Sequence, residues 1–369
     1  MSDEAGRSPA AAFAPDDPRL SVLETIACSV PPGAGGAGRH FEELIGLAER
    51  SLPSFRYICP APRTYAAPNH IRVPEFVRGA TLLPRVPSSH AYGGFILAAG
   101  VSFDIAASRH IKGSWGGYTG FTSQALSSLR KARRSGVSSL GLVALNTHVD
   151  NLWRQQQLAR SRHAIDRGWL TNTLRKRTRK EYELADVIFI SSDYQRSTFL
   201  EFGVEASKLV RMDLRPSERF QRRAQPPSGE TFNVVYVGRL DLIKGIPVLL
   251  DAFAAVRERD WHLSLMGPFC SSGVRRHVER RISGDPHVTL LEPGDPLPLL
   301  ESAHLFVHPA FEDAFGYGPM EALTMGVPVV VTDQTGMAEH VREGVNGSVV
   351  AAGDVTALAE RLRFYSKRA

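Results

Sequence analysis

From Phe232 onward the chain alternates short apolar runs with stretches of helical periodicity, and few architectures accommodate that pattern. Strands are predicted at Phe232–Gly238, His262–Gly267, His287–Leu291, His304–His308 and Val327–Thr332, with helices in most gaps, one starting at Ile246. Strands separated by helices build a parallel sheet covered on both faces. A turn at Asn346-Gly347 and an amphipathic helix over Val355–Tyr365 complete this half. Upstream, Leu20–Val30, Phe55–Cys59, Ser102–Ala107, Leu140–Asn146 and Val187–Ser191 read as strands, and His40–Arg50, Gln124–Arg134 and Tyr194–Phe202 as helices. Pro60–His90 is proline-rich and has no clear period. The polar, proline-bearing stretch 215–229 reads as a linker, which predicts a first domain over 20–227 and a second over 231–369.

A chain of 369 residues, 43% of them hydrophobic, is long enough for two such cores. No apolar run is read as reaching the roughly 18 residues of a membrane helix. Residues 1–19 lack the apolar core of a signal peptide and are expected to be a disordered tail of a cytoplasmic protein. Cys28, Cys59 and Cys270 have no metal-ligand spacing and are expected to be reduced, buried and structural. Between Arg154 and Lys180 lie Arg160, Arg162, Arg167, Arg175, Lys176, Arg177 and Arg179, with Asp166 the only acid. The readings left open for this run are a solvated helix face, or a peripheral electrostatic contact with an anionic membrane surface or an acidic acceptor. Nucleic acid is not expected, since no binding motif or aromatic platform accompanies the charge.

Two segments carry the chemistry. Phe311-Glu312-Asp313-Ala314-Phe315-Gly316-Tyr317-Gly318-Pro319-Met320-Glu321 places two carboxylates, Asp313 and Glu321, on either side of a glycine-rich turn that opens a helix. Pro319 suits a first helical position, and Gly326 with Pro328 ends the helix. A helix start with close backbone approach suits a phosphate or a ring of hydroxyls. A lone glutamate there could instead do no more than complement the helix dipole. The other segment is Gly238-Arg239-Leu240-Asp241-Leu242-Ile243-Lys244-Gly245, which sets two cations after a buried strand, where open α/β sheets bind ligands.

Together these segments resemble the retaining glycosyltransferases of the GT-B fold, with their Gly-Arg…Lys-Gly loop and Glu-x7-Glu motif around Phe-Gly. The resemblance is strong in the second half and weak in the first. It implies an α/β chain of two doubly wound Rossmann-like domains facing a cleft, and transfer of a hexose from a nucleotide-diphosphate sugar to a hydroxyl acceptor. Arg239 and Lys244 would neutralise the diphosphate, helped by Gly238 and the backbone of Phe315, Gly316, Tyr317 and Gly318. Glu321 would hold the ribose, Asp313 the donor sugar, and His148 the sugar from the first domain. Gly35 and Gly36 best match the first domain's glycine loop. No metal is expected, because no Asp-x-Asp sequence occurs, and no cofactor beyond the nucleotide sugar as co-substrate. His110 and His308 are weaker candidates.

Asp313 departs from the glutamate usual in that family, which leaves sugar preference open. Relatives commonly end on a long helix returning to the first domain. Here little chain follows the last predicted helix, which implies looser coupling of the domains. A non-catalytic sugar-nucleotide-binding or partner-dependent protein of the same fold is the alternative of a different class. A dehydrogenase is a weaker one: Gly33-Ala34-Gly35-Gly36-Ala37-Gly38 satisfies the dinucleotide pattern, but Cys59-Pro60 stands where an acidic ribose ligand belongs.

Overall fold

The computed structural model describes residues 17–60, 69–74, 88–227 and 231–369. Residues 1–16 of the expected tail, and 61–68 and 75–87 of the proline-rich segment, lie outside them. Strands β1 (Thr25–Ala27), β2 (Arg56–Pro60), β3 (His70–Val73), β4 (Gly117–Phe121), β5 (Ser139–Val143), β6 (Val187–Ile190) and β7 (Leu209–Arg211) form one sheet in the order β3-β2-β1-β4-β5-β6-β7. A second sheet contains β8 (Phe232–Val237), β9 (Trp261–Met266), β10 (Val288–Leu291), β11 (Leu305–His308), β12 (Val329–Thr332) and β13 (Gly347–Val350), in the order β10-β9-β8-β11-β12-β13. Every pairing within both sheets is parallel. Each order is that of a doubly wound, Rossmann-like sheet.

Central strands read as unbroken apolar runs because helices cover both faces. Val329, Val330 and Val331 are all buried, as are Leu305, Phe306 and Val307. Tyr236, Phe253, Phe306 and Phe311 fill the core of the second sheet, and Phe41, Tyr118, Phe121 and Phe189 that of the first. The three cysteines are free and buried, as expected.

By packing, residues 96–148 and 173–215 join residues 17–60 and 69–74 as one unit. Residues 88–95 and 149–172 pack with everything from Pro216 onward as the other. The chain therefore passes between the units at more places than the expected linker.

Three expectations need correction. The predicted strand Ser102–Ala107 lies inside a helix, Ser89–Ser108. Phe103, Ala106 and Ala107 are buried while Ile105 is 44% exposed, a helical rather than alternating period. That helix is also long and apolar enough to cross a membrane, against the expectation that no run reaches that length. Its Asp104 is nevertheless buried, accepting bonds from Ser127, Ser128 and Arg177. Finally, Leu20–Val30 is not one strand but a 3-10 helix, Pro18–Glu24, followed by β1.

Candidate functional site

In the second sheet the strand order reverses between β8 and β11, which pair through Leu305 with Val234 and Phe306 with Val235. The space beyond the carboxyl ends of such strands is where open α/β sheets bind ligands. The loops leaving β8 and β11, with the helix Tyr317–Thr324, carry every second-domain residue singled out above. The loops touch. Gly245 has φ +72° and approaches Pro309 so closely that an added Cβ would lie 1.9 Å from the proline carbonyl oxygen. Phe311 N donates to the Ile243 carbonyl at 2.8 Å.

A chain of charges spans the two loops. Arg239 Nε donates to Asp241 Oδ2 at 2.5 Å, and Asp241 Oδ1 accepts from Lys244 N at 2.9 Å. Lys244 Nζ lies 2.9 Å from Asp313 Oδ2 and donates to the Glu312 carbonyl at 2.8 Å. His308 Nε2 lies 3.0 Å from the same Asp313 oxygen, and Phe315 N donates to Oδ1 at 3.3 Å. Burial alone would raise the Asp313 pKa, but Lys244 and His308 outweigh it and hold the carboxyl well below the usual range. Burial likewise opposes charge on Arg239, yet Asp241 beside it leaves its pKa raised. Arg239 thus stays charged at neutral pH, and Arg239 and Lys244 are both fixed in place by the carboxylates beside them.

Around Arg239 the structure adds groups with no local signal in the sequence. The Trp169 ring centroid lies 5.6 Å from the guanidinium carbon, and Tyr92, its pKa raised by burial, is near enough to feel the Arg239 charge. Asp241, two residues from Arg239, was legible in the loop itself but was not singled out. His308, set aside as weak, reaches Asp313 because it ends β11.

The helix Tyr317–Thr324 begins after Gly316, which caps it at φ +106°, and no side chain caps this end. Pro319 is its third residue rather than its first. Glu321 is only 2% exposed and lies beyond the first turn, so the dipole-complement reading does not describe it.

In the first unit the glycine loop follows β1 and leads into the helix Gly35–Ser51. An added Cβ on Gly35 or Gly36 would meet nothing within 4 Å, so the backbone there faces open space. Here too the strand order reverses, between β1 and β4, and Ser29 N donates to Gln124 Oε1 at 2.6 Å to join the two loops. His148 is placed differently from the others. It is 4% exposed, with Phe202 stacked at 4.8 Å and Tyr182 and Phe199 against the ring at 4.9 and 5.3 Å.

Residues 231–367 match the family model described as glycosyl transferases group 1. The chain is 29% identical over 192 residues to the D-inositol 3-phosphate glycosyltransferase of Corynebacterium efficiens, a match covering 49% of this chain and 45% of that one. It thus spans less than half the length of this curated relative. Among solved structures, the sucrose-phosphate synthase of Thermosynechococcus elongatus superposes with a TM-score of 0.64 at 18% identity, covering 92% of this chain and 89% of that one. Anabaena HepE, in complex with UDP and glucose, does so with a TM-score of 0.61 at 16% identity, covering 92% and 88%. Residues 231–367 are thus similar to the group 1 glycosyl transferases, and the chain as a whole has the GT-B fold.

Proposed function

We propose that this chain is a retaining, metal-independent glycosyltransferase that moves a hexose from a nucleotide-diphosphate sugar to a hydroxyl acceptor. The observation that carries the reading is the pair Arg239 and Lys244, fixed by Asp241 and Asp313 on the loops that leave β8 and β11. Breaking the sugar–phosphate bond sends its electron pair to the departing diphosphate, and two preorganised cations stabilise that charge as it develops. The acceptor oxygen bonds to the anomeric carbon on the face the diphosphate leaves, and its proton passes to the released phosphate oxygen. Atoms and charge balance without a metal or a covalent enzyme intermediate. Asp313 and Glu321 are assigned to the sugar and ribose hydroxyls rather than to paired-carboxylate glycosidase chemistry. The complex of HepE with UDP and glucose supports a nucleotide sugar as the donor class.

Incubation with UDP-, GDP- and ADP-sugars, with and without EDTA, tests this reading. Release or transfer of sugar from at least one donor, undiminished by the chelator and with the anomeric configuration kept, is the expected result. Saturable binding with no turnover of any donor would favour the non-catalytic alternative. Loss of activity with EDTA and its return with Mg²⁺ would overturn the metal-free mechanism.

A further inference from the structure

The helix Ser272–Ile282 carries arginines at 275, 276, 280 and 281, and they have different surroundings. Arg275 Nε bonds Glu279 at 2.7 Å, and Arg281 Nη2 bonds Asp251 at 3.2 Å. Arg276 and Arg280, one turn apart on the same face, have no carboxylate partner among the described residues. Like charges at that spacing repel, so the helix gains nothing from holding them together. Both face concave space. A groove of about 730 Å³ is lined by Arg276 together with Arg160, Arg167 and His90, and it adjoins one of about 580 Å³ lined by Arg276, Arg280, His163 and His277.

The one carboxylate on the wall is already occupied. Asp166 Oδ2 accepts from Ser89 N at 2.7 Å, Ser89 Oγ at 2.8 Å and Ser271 Oγ at 2.9 Å, while Oδ1 accepts from Arg167 N at 2.6 Å. Asp166 therefore ties the wall together, and its single negative charge stands against Arg160, Arg167 and Arg276 in the same groove. Arg160 donates to the neutral amide of Gln157 at 2.8 Å, which orients the guanidinium without cancelling it. The unbalanced positive field also reaches His277, whose pKa is lowered by burial and then by Arg280. None of Arg239, Lys244, Asp313 and Glu321 lines these spaces.

We propose that this groove is a second anion site, distinct from the loops after β8 and β11, and that it takes a phosphate group. Guanidinium forks match phosphate oxygens in pairs, and the volume falls in the small-ligand range of roughly 300–1,000 Å³. Among the described residues no Phe, Tyr or Trp lines it, so its described walls offer no platform for the stacking that accompanies single-stranded nucleic acid. The phosphate could belong to a soluble phosphomonoester or to an anionic lipid headgroup.

The test uses the full chain with no donor present, so its failure would leave the glycosyltransferase reading standing. Calorimetry with inorganic phosphate should show binding that Arg160→Ala/Arg276→Ala weakens by about tenfold or more, since each removes a charge-assisted contact. Arg275→Ala, on the same helix but already ion-paired, should leave that binding unchanged, and so should Lys244→Ala. Phosphate should also raise the Tm of the wild type more than that of the double variant, which itself should melt no lower without phosphate. Equal phosphate affinity in the double variant and the wild type, or no binding by the wild type, overturns the proposal. Glycerol phosphate and phosphatidylcholine vesicles with or without phosphatidylglycerol then separate the sources. Binding of the monoester that the double variant loses identifies a soluble ligand. Sedimentation with the anionic vesicles that it loses identifies a headgroup, and loss of neither overturns the assignment.

Discussion

At the scale of single residues, Lys244 is only 14% exposed and its ammonium lies 2.9 Å from Asp313 Oδ2, the ion pair on which the proposed diphosphate site rests. Replacing Arg239 or Lys244 with Ala should lower turnover by on the order of 10²-fold or more with the fold intact, measured as initial rates on the best donor of the panel. Unchanged turnover in both variants would remove the diphosphate assignment. The two carboxylates should separate by ligand. Glu321→Gln should weaken the free nucleoside diphosphate and the intact donor alike, by roughly 1.5–3 kcal/mol, whereas Asp313→Asn should spare the diphosphate and reduce transfer. Equal losses in calorimetry would mean that the two are not set along the donor in that way. Asp313 also predicts a pH dependence. Its folded pKa is depressed, so its contribution to stability is present above the unfolded value of about 3.9 and is lost as pH falls through the lower folded value. Asp313→Asn should therefore flatten the decline in stability below about pH 4 in acid-denaturation curves. The identities of these residues were legible in the sequence. Their support was not: the bond from His308 to Asp313 depends on where β11 ends, and Trp169 reaches Arg239 from a segment 70 positions away.

At the scale of elements, the basic run 154–180 shows how far spacing can be read. It divides among the helices Val149–Arg162 and Asn172–Leu184 and the segment between them that carries Arg167, and its cations meet different fates. Arg160 and Arg167 line the second unit's groove, while Arg177 in the first unit is 12% exposed and pairs with the buried Asp104, with Glu181 at 3.6 Å. Glu181 in turn accepts from the backbone N–H groups of Ser123, Ala125 and Leu126, fixing the turn that leads into the helix Leu126–Arg134. Neither the solvated-face reading nor the membrane reading anticipated a half-buried cation paired with a buried carboxylate. Arg177→Ala should cost on the order of 3–5 kcal/mol in urea denaturation, because it strands two buried carboxylates without their cation. A change below about 0.5 kcal/mol, the surface value, would show that the pair is solvated. Strand prediction failed for similar reasons. Gly117 in β4 is the residue whose added Cβ would lie 1.9 Å from the Ser21 carbonyl oxygen, so the strand is glycine-bearing because of what crosses it.

At the scale of the whole molecule, the two sheets share one winding order, and in each a loop pair lies where that order reverses. A ligand that binds only folded loops stabilises the unit that carries them. A nucleoside diphosphate at about 100 times its Kd should stabilise the chain by roughly 2.7 kcal/mol, and Lys244→Ala should abolish most of the accompanying rise in Tm at the same concentration. An identical rise in that variant would place the nucleotide elsewhere. Alternating apolar runs and helical periods determined the second sheet almost strand for strand, since buried parallel strands need continuous apolar sequence and glycine turns cannot be disguised. The Gly-Arg…Lys-Gly loop and the Asp313–Glu321 segment were legible for the same reason: ligand chemistry there is concentrated in a few adjacent residues. Only the tertiary structure decided which chain segments belong to which unit, that the apolar run at Ser102–Ala107 is helical, and that His148 is packed among aromatic rings. It alone brought Arg160, Arg167 and Arg276 around one groove. These outcomes rest on contacts between residues far apart in the chain, and a local pattern of apolar and charged residues carries no record of which distant partner will close over it.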